Sequence, residues 1–372
     1  MKINFTFSVF VLGVLALVGI ESCKNDVEVF APESDVTVIY GLLSADDAVH
    51  RIKVNRVFQG TSSIEDLAQD PSLSEYENIK VDLLELKDNG FAGIETLNQY
   101  SFSEALITTK DSGFFYYPNQ KVYELTQKLN PEFLYAVQVD KLNGSEIVES
   151  TTPLINVVDD VLVKPSGLDF IGLSLASPQD VGGGKEVLPN ERVALEFKVP
   201  INTKIMDVYL DFHYQNRNLN GDLGDTITIS YNVGTSVVSS IPTQIDDAEK
   251  IEMDLNPTAF YSFIAAQVPV VMAGDDILQR QPLDVPLTFR MISGGDEFNT
   301  YIEVAAPSNS LLESKPDYTN VINGVGLFST RKFDDRTSLL SKSSIDYLVH
   351  GDILAGRKFC HYTNNTDDFP CY

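Results

Sequence analysis

The sequence predicts a mainly β protein of two domains, the second larger and carrying one or two short helices. Two observations carry that expectation, and a third bounds the partners. The chain has 372 residues and is 43% hydrophobic, enough for two cores. Short runs of β-branched and aromatic residues alternate with polar ones, and Asn, Asp and Gly clusters separate the runs. The formal net charge is −26, and such a surface repels phosphate backbones, whose binding depends on cationic side chains. Nucleic acid is therefore excluded as a partner.

At the N-terminus, Lys2 precedes an apolar stretch over residues 7–20, of signal-peptide length and too short to span a bilayer comfortably. It ends at Ile20-Glu21-Ser22-Cys23. An aliphatic residue three before the cysteine and a small residue just before it resemble the lipobox of bacterial lipoproteins, with Glu21 departing from the usual pattern. The resemblance implies that residues 1–22 are a lipoprotein signal peptide, that Cys23 is acylated, and that residues 23–34 form a tether. An ordinary secretory signal with a free Cys23 is the alternative, and an exposed unpaired thiol is a liability in an oxidising compartment. Lys24-Asn25-Asp26-Val27-Glu28 is similar to the export signal of surface lipoproteins in Bacteroidetes-type bacteria. A plain solvated tether reads the same way.

The segments "DVTVIYGLL" (35–43) and "VHRIKVNRVF" (49–58) flank Asp46-Asp47 and predict a hairpin. "SSIEDLAQD" predicts a helical turn capped by Ser62 or Ser63. "IKVDLLEL" (79–86) predicts a strand closed by a tight Asn89-Gly90 turn. Leu129-x-Pro131-x-x-x-Tyr135, followed by an alternating strand and the Asn143-Gly144 turn, resembles the corner before strand F of fibronectin type III and immunoglobulin-like sandwiches, in which a tyrosine hydroxyl bonds back to the backbone. Residues 35–157 are thus expected to form an immunoglobulin-like sandwich, with Tyr135 structural. A connector at residues 158–167, with Asp159-Asp160, Pro165 and Gly167, would mark the boundary with a larger β-rich domain over residues 158–372.

In that second part, residues 192–199, 205–214, 225–233 and 285–293 alternate as strands. "NPTAFYSFIAAQV" predicts a helix with Asn256 at N-cap and Pro257 at N1, and "SSIDYLVHG" a short helix closed by Gly351. Once Cys23 is set apart, Cys360 and Cys371 form an even pair. In an exported chain they predict a disulfide, worth about 3 kcal/mol on the chain-entropy model. A zinc site recruiting His361 would be short of ligands.

Two stretches, "IYGLLSADDAVHRIKVNRVF" and "YTNVINGVGLFSTR" (318–331), resemble exported Bacteroidetes lipoproteins classed only as a domain of unknown function. The matching residues in the second are Asn320, Gly324, Gly326 and Phe328. The resemblance implies a lipobox, an immunoglobulin-like domain and a larger β-rich domain. It also implies envelope company, as accessory partners of TonB-dependent outer-membrane transporters. It carries no catalytic residues. Read physically, the glycines suit a tight turn and close backbone approach, and no following helix or lysine supports a phosphate cradle.

No cofactor is expected. The four histidines, His50, His213, His350 and His361, lie outside any Gly-x-Ser-x-Gly elbow or His-Glu-x-x-His pair. Asp-Asp pairs at 46/47, 159/160, 246/247, 275/276, 334/335 and 367/368 leave a glycosidase dyad open, although most are expected at turns. Asn216, Asn218, Asn220 and Asp222 with Gly221 space oxygens like a calcium loop, but Ile227 stands where its bidentate Glu belongs, so a hairpin turn is the better expectation. The function expected is non-enzymatic binding by a lipoprotein anchored to the outer membrane through Cys23, with a transporter or a surface glycan as partner. An exported hydrolase or a fimbrial subunit is the alternative.

Overall fold

The computed structural model describes residues 35–58, 62–156, 160–244, 249–305, 318–361 and 371. Cys23, its lipobox, Asp159 and the aspartate pairs at 246/247 and 367/368 lie outside the described residues. β1 (Thr37–Leu43) and β2 (His50–Arg56) pair antiparallel across the Asp46-Asp47 turn. Strand alternation buries Ile39, Leu43, Ile52 and Val54 and turns Val38, Tyr40, Lys53 and Asn55 to the opposite face. Two short helices follow. α1 (Ile64–Ala68) is capped by the Ser63 hydroxyl, which accepts from the Asp66 amide, and α2 (Pro71–Ser74) carries Pro71 in its first turn.

β3 (Lys80–Asp88), β4 (Ile94–Ser101), β5 (Ser103–Ile107), β6 (Gln120–Leu125), β7 (Leu134–Asp140) and β8 (Val148–Pro153) complete the first half. β4, β3, β7 and β8 form one antiparallel sheet in that order. It faces β5, β6, β2 and β1 across a core that includes Ile39, Leu83, Tyr135 and Val137. The expected tight hairpin at Asn89-Gly90 is not formed. The Asp88 carboxylate accepts from the Gly90 amide at 2.8 Å, an Asx turn, and Gly90–Ala92 winds into a 3-10 turn. The link to β4 is accordingly a wider loop.

The second half holds β9 (Leu162–Lys164), β10 (Ala176–Asp180), β11 (Lys185–Pro189), β12 (Val193–Lys198), β13 (Ile205–Arg217), β14 (Leu223–Val237) and β15 (Lys250–Leu255). After α3 (Pro257–Gln267) come β16 (Gln279–Gly294), α4 (Asp296–Ala305), β17 (Gly324–Ser338) and α5 (Lys342–His350). The Asn256 carboxamide accepts from the Ala259 amide at 2.9 Å to cap α3, whose inner face buries Phe260, Tyr261 and Ile264. Ser341 caps α5, and Gly351 follows its last turn. α4 is an element the sequence reading did not anticipate, and with it the second half holds three described α-helices against the one or two expected.

The two halves share one sheet. β17 pairs antiparallel with β16 and parallel with β1, giving the order β14-β13-β16-β17-β1-β2-β6-β5. Phe328 of β17 lies in the first core, while a second core gathers residues between Val161 and Phe359. The sheet therefore does not break at residue 157, and residues from Val36 onward make one unit. Part of the expected connector is strand: β9 pairs with β12 at the edge of a three-stranded sheet. The cause is non-local, because β1 supplies a hydrogen-bonding edge that only β17 fills.

Lys332, 5% exposed, reinforces the junction. Its ammonium lies 2.5 Å from Asp46 in the β1–β2 turn and 3.1 Å from Asp334. Asp334-Asp335 is thus part of a strand, one pair outside the turns expected for most of them, since alternation in β17 half-buries Asp334 against Lys332. Cys360 and Cys371 are joined as a disulfide. Cys360 is fully buried, and its amide donates to the Arg280 carbonyl at 3.0 Å, which fixes the bridge to the start of β16.

Candidate functional site

The outer face of the shared sheet carries a groove. Tyr40 of β1 stands directly across from Lys53 of β2, and Val38 across from Asn55. In the other direction Val38 is in register with Val325 of β17. These side chains form the floor. One wall consists of α1, α2 and the loop before β6; the other is α4 with Tyr318 and Thr319. The floor divides the groove into two lobes, of about 330 Å³ and about 580 Å³, and Val38, Tyr40 and Val57 line both. Such volumes are in the range of small-molecule sites.

The wall of the smaller lobe is built from the chain's own hydrogen bonds. Asn55 Nδ2 donates to the Ser74 carbonyl at 3.0 Å, and Arg56 donates to the Leu73 and Ser72 carbonyls at 2.9 and 2.6 Å. These carbonyls end α2, where helical acceptors otherwise go unmatched. The Arg56 guanidinium also lies over the Tyr76 ring, 5.9 Å from its centroid. The facing loop is clamped to α1 by the Tyr116 amide on the Ala68 carbonyl, at 3.0 Å, and by Gln69 Nε2 on the Phe114 carbonyl, at 2.7 Å. Lys110 donates to the Tyr116 carbonyl at 2.8 Å. Phe115 is held in this way with its ring edge-on to Phe58, at a centroid distance of 6.4 Å.

Lys53 sits half-buried between β2 and that loop. Its ammonium is 6.0 Å from the Phe115 centroid, and Lys110 approaches the same ring to 5.7 Å. Among the described residues Lys53 makes no hydrogen bond or ion pair. Burial lowers its pKa below the ordinary lysine value, Lys110 pushes it the same way, and Glu75 opposes both. The charged residues lining this lobe are Lys53, Arg56 and Lys110 against Glu75, a cationic excess on a chain with 53 acidic and 27 basic residues. The larger lobe is uncharged and aromatic, with Tyr40 edge-on to Tyr301 at 6.3 Å.

The residues singled out from the sequence fall elsewhere or serve the scaffold. Tyr135 is buried, and its hydroxyl accepts from the Asn130 amide at 2.8 Å and donates to Glu85 at 2.8 Å. Leu129 is buried beside it in the first core, and Pro131 opens the turn into β7. Asn320 holds Phe328 by its amide and carbonyl, Gly324 lies against β1, and Gly326 lines the larger lobe. In the calcium-like loop, Asn218 Oδ1 accepts from the Asn220 and Asp222 amides at 3.0 and 2.9 Å, and Arg217 binds the Gly221 carbonyl. Asn216 closes β13 against Arg280 of β16. These oxygens shape the β13–β14 turn.

The histidines are likewise engaged. His50 is 2.7 Å from the Gln127 carbonyl. His213 has Thr228 at 2.9 Å on Nδ1 and Thr288 at 3.0 Å on Nε2, and burial lowers its pKa, with Asp211 opposing and Arg290 assisting. With both nitrogens bonded to hydroxyls, the ring acts as a cross-strand tie. His350 is the last residue of α5, 3.9 Å from Asp346, and His361 is buried next to the disulfide. Among the described residues no group of three or more His, Cys, Asp or Glu is placed to hold a metal ion.

Sequence reading missed the groove. Two signals were present: Val38 and Tyr40 are apolar on the face that alternation leaves outward, and Phe114-Phe115-Tyr116-Tyr117 concentrates aromatics in a loop.

No protein-family model matches the chain, and no curated protein matches it. Among solved structures, the C-terminal globular domain of an oligosaccharyltransferase from Pyrococcus abyssi aligns with 84% of this chain at 11% identity and a TM-score of 0.19. The chain spans about half of that domain, 51%. A likeness so slight carries no functional argument.

Proposed function

We propose that this chain is a lipoprotein anchored to the bacterial outer membrane through Cys23, and that it acts by binding a ligand in the groove over β1, β2 and β17. The observation that carries the reading is the groove itself. The wall formed by α1, α2 and the Phe115 loop is held by backbone and side-chain hydrogen bonds that need no ligand, so little ordering opposes binding in the smaller lobe. The anchor follows from Ile20-Glu21-Ser22-Cys23. The short tether over residues 23–34 would keep the site within a few nanometres of the bilayer, at about 3.5 Å per extended residue. A membrane neighbour such as a TonB-dependent transporter suits that reach and agrees with the resemblance of the two sequence patches.

Metabolic labelling with a fatty-acid analogue should mark the native protein and not Cys23→Ala, and cross-linking in intact cells should recover an outer-membrane transporter. Equal labelling of both forms removes the anchor. Hydrolysis of a glycan or peptide by the purified protein, abolished by replacing one carboxylate, would put an enzyme in place of a binding protein.

A further inference from the structure

We infer that the smaller lobe is a site for a small organic anion with a flat apolar body, the anionic group meeting Lys53 and the body lying between Tyr40, Phe58 and Phe115. The inference rests on the binding reading above and adds the ligand class. An ammonium half-removed from water and without an ion pair is unfavourable unless something compensates it. Phe115 compensates in part through its ring face. Lys110 works against it, and Glu75 is the one carboxylate lining the lobe. An incoming anion would relieve the repulsion between the two lysines and gain charge-assisted hydrogen bonds.

The remaining geometry selects the body. Lys110 and Arg56 already bond backbone carbonyls, so among the cations lining the lobe Lys53 is the one left to meet a ligand. The lining around it is aromatic and aliphatic, and the cavity of about 330 Å³ matches a compact ring system better than a polymer. The net charge of −26 opposes anions at long range. Selectivity for one must therefore come from short-range contact inside the lobe, where screening by salt is weakest.

The test is calorimetric titration of the full-length protein with a naphthalene carboxylate and with its neutral carboxamide, which have the same shape. The carboxylate should bind on the order of tenfold more tightly, the gain expected of a charged hydrogen bond. Lys53→Met should bring the ratio near one, Lys53→Arg should keep it, and Phe115→Ala should weaken both ligands together. Inorganic phosphate and a sugar acid, which carry charge without a flat apolar body, should not displace the carboxylate at comparable concentration, and displacement by either would overturn the inference. Equal binding of acid and amide by the native protein overturns the inference, as does a preference that survives Lys53→Met in a variant with native melting behaviour. If neither compound binds while a transporter is still cross-linked, the anion site falls and the binding reading stands. If the acid binds through Lys53 and no membrane neighbour is found, the groove site stands and only the transporter partner falls.

Discussion

Gly326 meets Ile39 so closely that a Cβ on the glycine would stand 2.0 Å from the Ile39 carbonyl oxygen, and the glycine holds φ at +120°. Both facts belong to one place, the parallel seam between β17 and β1 where the two halves of the protein become one sheet. Gly326→Ala should therefore part the seam, with a loss of at least about 3 kcal/mol from steric and backbone strain together. Denaturant unfolding measures it, and an unchanged midpoint would mean that the seam adjusts freely.

Asn320 acts on the same strand. Its carboxamide donates to the Phe328 carbonyl at 2.7 Å and accepts from the Phe328 amide at 3.0 Å, which replaces ladder bonds for a residue whose side chain is fully buried. Asn320→Ala should cost about 2 kcal/mol, two net hydrogen bonds of ordinary strength. Hydrogen exchange at the Phe328 amide should rise with it.

Tyr135→Phe tests the corner before β7. The phenol bonds the Asn130 amide and the buried Glu85 carboxylate, and burial, then the Glu85 contact, raises its pKa well above the ordinary tyrosine value. Losing the hydroxyl leaves Glu85 with Asn98 at 2.7 Å and should cost about 1–3 kcal/mol. A loss within a few tenths would show that water replaces the hydroxyl.

Asp82 gives a pH-dependent signature. Burial alone would raise its pKa, but hydrogen bonds from Lys80, Ser101 and Gln99, at 2.6, 2.6 and 2.7 Å, outweigh that and hold it below the ordinary carboxylate value. A depressed pKa stabilises the folded state above the unfolded value, about 4, and the contribution fades as pH falls through the folded value. The stability difference between the native protein and Asp82→Asn should be full at pH 7 and close progressively below about pH 4. A difference that stays constant with pH would contradict the assignment.

Local chemistry made much of the architecture legible in the sequence. Asn256 and Pro257 mark the start of α3 because a cap and a fixed φ act within one turn. Alternation located β1, β2, β7 and β13 because side chains in a strand face opposite sides with period two. The even pair left by Cys360 and Cys371 pointed to their bridge. What only the tertiary structure decided is where distant segments meet. β17 lies beside β1, so a break expected near residue 157 became a continuous sheet. Lys53, one basic residue among many in the sequence, became a half-buried cation when β2 was walled by α1, α2 and the Phe115 loop. Propensity and periodicity act over a few residues, whereas strand partners, burial and electrostatic environment are set by contacts between segments far apart in the chain.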